Sequence, residues 1–332
     1  MTKKSTKIKS IYYFSTMKKT LLLGSFCLLT GLGAVNLDTD KTPAYAEIAQ
    51  GESINSPSEI TLLNPGNEPK QELRLTPTVA TKATSTMTMN TEMTMLVDGQ
   101  TYPQVISPTT TITMEVEVTN VAENGDINAD FTYTDVEVIA EPNTSTELLS
   151  AMEEQMNKLV GLNGSFLLDK QGNTKDATIV FPANMDGNNK QMLESMVTSL
   201  KQLSSPLPSE AVGIGAQWEV TNLLSTNGIN LTQTANYELV DIQDNIATLN
   251  VKIEQQAGEQ KINSPDASMS LTSLTGIGKG KVTMNLAQIM PISATIEMKS
   301  DIKMKITAPD SNQESLLETQ SLMQMNLESK YE

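Results

Sequence analysis

The chain has no histidine, one cysteine, one tryptophan and only 4% aromatic residues in its 332. Each shortage removes a class of chemistry. The one cysteine, Cys27, falls in a segment expected to be cut away. With no His either, Ser–His and Cys–His nucleophiles and ordinary zinc sites have nothing to be built from. Disulfides are excluded as well, although the expected compartment would permit them. Positive charge is also short, with 23 Lys and Arg against 39 Asp and Glu. Such a surface repels nucleic acid and anionic headgroups, so no nucleic-acid partner is expected.

What is present first is an export signal. Lys18 and Lys19 precede an apolar run over 21–35, and a polar stretch leads to Ala44-Tyr45-Ala46. That is the charged start, apolar middle and A-x-A cleavage site of a secretory signal. Residues 1–46 are expected to be removed, leaving a chain that begins at Glu47. A start at Met17 would give an n-region of ordinary length. The apolar run of about 15 residues is shorter than the ~20 needed to cross a bilayer, so no stable membrane span is expected after cleavage. Phe26 stands where a lipobox needs a small residue before Cys27, which argues against lipidation. The remaining chain carries 16 basic residues (23 less seven) and 37 acidic ones (39 less two), a net charge of −21.

Residues 47–80 are rich in Pro, Asn, Glu, Ser and Thr, and read as a flexible Pro-rich tether. From 81 to 332 the pattern is that of a single β-rich domain. In "STMTMNTEMTM" (85–95), Met87, Met89, Met93 and Met95 share the odd positions, the period of a half-buried strand. Ile112, Met114, Val116 and Val118 alternate in the same way. Asn124-Gly125 then signals a hairpin with positive φ at both turn positions. The return strand through Ile127, Ala129, Phe131 and Tyr133 changes parity by Val136, which implies a bulge near Asp135. Asn227-Gly228 is a second hairpin signal. Ile296, Met298, Ile302, Met304 and Ile306 face opposite to Glu297, Lys299, Asp301, Lys303 and Lys305, and Met323, Met325 and Leu327 mark a last strand.

Two segments follow helical spacing instead. Leu148, Leu149, Met152, Met156, Leu159 and Val160 form one apolar face, with Thr144 and Glu147 as a capping box and Gly161 as terminator. Met192, Leu193, Met196, Val197, Leu200 and Leu203 form another, ending near Pro206. A hairpin of strands 165–169 and 175–181 lies between, turning at Gln171-Gly172-Asn173. The expected fold is α+β: a large curved antiparallel sheet, a half-barrel, with two amphipathic helices packed on its concave face.

The element order, with "LLDKQGNTKDATIVFP" (167–182) and "VGIGAQWEV" (212–220), resembles the LolA/LppX-type half-barrel proteins of the bacterial envelope and other secreted proteins of unknown function. "PAYAEIAQ" (43–50) resembles the signal ends of cyanobacterial proteins. The resemblance implies periplasm, medium or thylakoid lumen as the compartment, and a lipid or acyl chain enclosed between sheet and helices.

Other motifs yield to plainer readings. Met clusters can hold Cu(I), but strand neighbours on one face lie ~6.8 Å apart and no His or Cys assists, so the methionines read as apolar lining. Asp126-x-Asn128-x-Asp130 with Glu137 mimics a calcium loop but has Phe131 where that loop needs Gly. "GIGKGKV" (276–282) lacks the Ser or Thr of a phosphate loop and reads as a flexible strand entry or bulge. Ser300 and Lys303 fall on opposite faces of a strand, not together on a helix. Glu115 and Glu117 share a polar face, and Trp218 reads as a core anchor. No cofactor or metal is called for.

The sequence therefore points to an exported, acidic, non-enzymatic envelope protein binding a lipid or other apolar small molecule. Met87, Met89, Met93, Met95, Met152, Met156, Met192 and Met196 are its expected lining. A structural module with a closed core, engaging an envelope protein partner, is the alternative. A carboxylate-based hydrolase is a third reading.

Overall fold

The structure, a computed structural model, describes residues 58–142, 144–180, 207–226, 229–262, 268–307 and 314–332. In chain order its elements are β1 (Glu59–Asn64), β2 (Gln71–Glu72), β3 (Lys82–Val97), β4 (Gln100–Thr101), β5 (Val105–Ile106), β6 (Thr109–Val121) and β7 (Ile127–Ile139). Then come helix α1 (Thr146–Asn157), β8 (Asn163–Leu168), β9 (Thr174–Val180), β10 (Ala211–Val212), β11 (Gln217–Thr226) and β12 (Ile229–Gln243). The chain finishes with β13 (Ile246–Ala257), β14 (Gln260–Ile262), β15 (Ser268–Asn285), β16 (Pro291–Thr307) and β17 (Glu314–Tyr331).

Alternation of apolar and polar side chains makes one sheet of nearly all of these. Its path is β1-β11-β12-β13-β15-β16-β17-β3-β6-β7-β8-β9, with β4, β5 and β14 added at the sides. The last strand, β17, joins the two halves of the chain by pairing antiparallel with β3, Leu317 opposite Val97 through to Tyr331 opposite Ala83.

The sheet curls without closing. Leu207 N donates to Gln171 O in the β8–β9 turn, and Gly215 N donates to Leu239 O on β12. Eight residues reach at most ~29 Å. On a flat sheet the eight strand steps from β12 to β8 would span ~38 Å. The two wings therefore bend toward one another, but among the described residues β1 and β9 end the sheet path as edges. The sequence pattern predicts a half-barrel with two helices; the described residues show one helix and a sheet that does not close. The second expected helix, with Met192 and Met196, lies outside the described residues, as does the Asn227-Gly228 turn.

The expected tether is another correction. From Ser58 onward it packs on the domain: β1 pairs with β11, β2 pairs with β10, and Leu73 and Leu75 are buried. Leu75 N donates to Lys170 O and Thr76 N to Leu286 O, so this stretch bridges the wings at one end. Ile60, Leu62, Leu73 and Leu75 do alternate, but in pairs too short to stand out among Pro and Asn. Gly66 is required here, since a Cβ would lie 2.2 Å from Gly213 O.

Three apolar clusters result. One joins Val118, Ile127 and Leu168 of one wing to Trp218, Tyr237 and Leu249 of the other through Leu73, Leu75 and Leu207. A second holds Met93, Met95, Met152, Ile302, Met304 and Leu317. The third holds Met89, Ile112, Phe131, Tyr133, Met156 and Leu159.

Local chemistry differs from expectation in several places. Ser145, not Thr144, caps α1: its Oγ accepts from Leu148 N, while Thr144 Oγ1 accepts from Glu141 N. Val160 follows the helix and is exposed. In the β6–β7 turn only Gly125 has positive φ; Asn124 instead uses Oδ1 to accept from Asp126 N. The bulge expected near Asp135 is present, at the adjacent Thr134, where the register steps from Asp135 to Tyr133. "GIGKGKV" is mid-strand in β15 with continuous pairing on both sides, so it is neither an entry nor a bulge.

A candidate binding surface on the inner face

Strand register orders the inward side chains into rows that cross the sheet. Trp218, Tyr237, Val251, Gly280, Ile296, Met325 and Met89 stand opposite one another in turn, from β11 to β3. The adjacent row runs Val220, Ala235, Ile253, Gly278, Met298, Met323, Thr91. The next is polar: Asn222, Gln233, Gln255, Gly276, Ser300, Ser321, ending at Met93. Beyond it lie Leu274 and Ile302 of the second cluster.

At the middle of these rows β15 presents only glycine. With no side chain at 276, 278 and 280, neighbours lean toward the strand: a Cβ at Gly278 would meet Ile253 Cβ at 3.2 Å. Beside this floor stand Ile296, Met298, Met323 and Met325. All four point inward, and none belongs to any of the three clusters. Met298 is buried and the other three are half-buried. They form an apolar strip apart from the packed cores.

The polar row is uncharged. Gln255 Nε2 donates to Gln233 Oε1 at 2.8 Å, and Ser58 Oγ donates to Asn222 Oδ1 at 2.6 Å. Ser300 and Ser321 are at least nine-tenths buried, and their hydroxyls have no hydrogen-bond partner among the described residues. The same holds for Thr91 and Thr110. The charges of these strands face outward, in pairs such as Lys279–Glu297 at 3.4 Å, Lys303–Glu318 at 3.0 Å and Lys305–Glu314 at 3.2 Å.

The sequence-derived lining divides. Met93, Met95 and Met152 come together in one cluster, and Met89 and Met156 in another with Met87 packed against it. Met152 and Met156 of the helix thus share packed core with methionines of β3. Met192 and Met196 lie outside the described residues. Glu117 pairs with Lys82 at 3.2 Å on the outer face. Lys175 Nζ occupies Asp126 at 2.6 Å. Trp218 is fully buried and stacked on Tyr237. The sequence pattern assigned the correct parity to Met298, Met323 and Met325 and set Ser300 on the face opposite Lys303, but it gave neither Ser300 nor the glycines a place in the lining. The signal was there: Ser300 occupies the vacant inward position between Met298 and Ile302.

Residues 188–288 match a family of unknown function (DUF6263). That stretch covers β10 through the whole of β15, glycines included. No curated protein matches the chain.

Proposed function

We propose that the protein is an exported, non-catalytic binder that holds an apolar ligand, such as an acyl chain, against the inner face of its curled sheet. The observation that carries this reading is the strip of Ile296, Met298, Met323 and Met325, inward-facing beside a glycine floor and outside every core cluster. Methionine suits such a place because its unbranched thioether adapts to ligands of varied shape. In this reading the sheet works as a LolA-type half-barrel, and the signal at 1–46 delivers the mature chain, beginning at Glu47, outside the cytoplasm. N-terminal sequencing that finds Met1, Met17 or Cys27 as the first residue contradicts the export scheme.

The closed-core structural module has its own supporting observation, the burial of Met89, Met93, Met95, Met152 and Met156 within clusters. Titration with the neutral fluorophore N-phenylnaphthylamine separates the two. The binding reading expects saturable fluorescence enhancement, weakened about tenfold in a Met323→Gln, Met325→Gln double variant that keeps its fold, given the apolar area each thioether offers. No saturable binding by the wild type overturns it and leaves the closed-core reading.

A further inference from the structure

Resting on that binding reading, we propose that the ligand is a neutral amphiphile, an acyl chain carrying an uncharged hydrogen-bonding group, and that Ser300 and Ser321 receive that group. The two serines face each other across β16 and β17, and Gly276 adjoins Ser300 on β15. Thr91 lies on β3 one diagonal step from Ser321, because it opposes Met323. Thr110 lies one diagonal step further on β6, because it opposes Met89. Four adjacent strands thus carry a diagonal line of four buried hydroxyls with no hydrogen-bond partner among the described residues.

A buried hydroxyl without a partner is costly, and native proteins keep few of them. Four in one line are the complement of a ligand's polar group, and Thr91 among them stands between Met89 of the third cluster and Met93 of the second. A hydroxyl both donates and accepts, so the line suits an ester, amide or alcohol. It does not suit a carboxylate. The rows that cross here contain no Lys or Arg, and Lys279, Lys299, Lys303 and Lys305 all point to the opposite face. An anion placed on the line would be buried without a counter-charge, which is disfavoured. The apolar strip of Met298, Met323 and Met325 adjoins the line and takes the chain.

The test compares monooleoylglycerol with oleate as displacers of N-phenylnaphthylamine at pH 8, on the wild type and on a Ser300→Ala, Ser321→Ala double variant. The wild type is expected to prefer the glyceride by about tenfold or more, the discrimination of one or two buried hydrogen bonds. The double variant, which only removes unpartnered hydroxyls, is expected to fold and to lose most of that preference, read as the ratio of the glyceride and oleate displacement constants on the same protein. Equal binding of glyceride and oleate by the wild type overturns the proposal. So does an unchanged preference in the double variant, as would follow if internal water satisfies the serines. In both cases fluorophore binding persists and the wider apolar-ligand reading stands. Absence of any fluorophore binding overturns both.

Discussion

Trp218 stacks on Tyr237 across β11 and β12, with ring centroids 5.5 Å apart and planes 12° apart. The pair lies where the two wings of the sheet meet through Leu73, Leu75 and Leu207. Removing the indole leaves a hole that several elements share. Trp218→Ala is expected to cost about 3–5 kcal/mol in urea unfolding followed by circular dichroism. Because this is the only tryptophan of the chain, its emission should be blue-shifted when folded and move red in one step on unfolding.

The methionines should fall into two classes. Met93 is 3% exposed and clustered with Met152, so Met93→Ala is expected to cost about 2–5 kcal/mol. Met323 and Met325 are half-buried outside the clusters, and their Ala variants should each cost under ~1 kcal/mol. Equal costs at Met93 and Met323, measured by urea unfolding, would mean that the strip is ordinary core.

Glycines of the same chain should respond with opposite sign. At Gly280 a Cβ would lie 2.4 Å from Thr295 O, so Gly280→Ala is expected to lose about 1–3 kcal/mol through backbone displacement. At Gly258 nothing lies within 4 Å of the added Cβ, and Gly258→Ala should be neutral or stabilise by up to ~1 kcal/mol. Thermal unfolding of the two variants beside the wild type reads the contrast.

Of the groups whose titration the fold shifts, Asp126 and Tyr133 give the cleaner tests. Hydrogen bonds from Lys175 and then Asn124 hold the Asp126 carboxyl below its ordinary 3.8. A depressed carboxylate stabilises the fold above the unfolded value and loses that contribution as pH falls through the folded one. The Tm gap between wild type and Lys175→Met should therefore be constant near neutrality and shrink below pH 3.8. Burial pushes the Tyr133 phenol up from 10.0 to about 12. A raised value stabilises below the unfolded pKa and is lost as pH rises, so wild-type Tm should fall from pH 10 to 12 more steeply than that of Tyr133→Phe.

Much of the sheet is legible in the sequence because one face of each strand is wet. β3 and β16 alternate cleanly, and α1 announces itself through the spacing of Met152, Met156 and Leu159. β1 and the bridge at Leu73 and Leu75 are not legible, because two apolar residues at a time establish no period. β15 inverts the usual code: Ile277 is 72% exposed while Gly276 and Gly278 face inward, so the pattern looks like a loop. The inward Thr91, Ser300 and Ser321 read as interruptions of an apolar face when they are a feature of it. Which methionines become core depends on β17 inserting between β16 and β3. That pairing joins residues more than 200 positions apart, and no local signal specifies it.

The most direct test of ligand binding is native mass spectrometry, with solvent extraction, of the protein purified from the cells that make it. The account predicts a chain beginning at Glu47 that carries one equivalent of an acyl-containing molecule, released on unfolding. A ligand-free mass, from protein that also fails to take up N-phenylnaphthylamine, would contradict it and make the inner face a structural core.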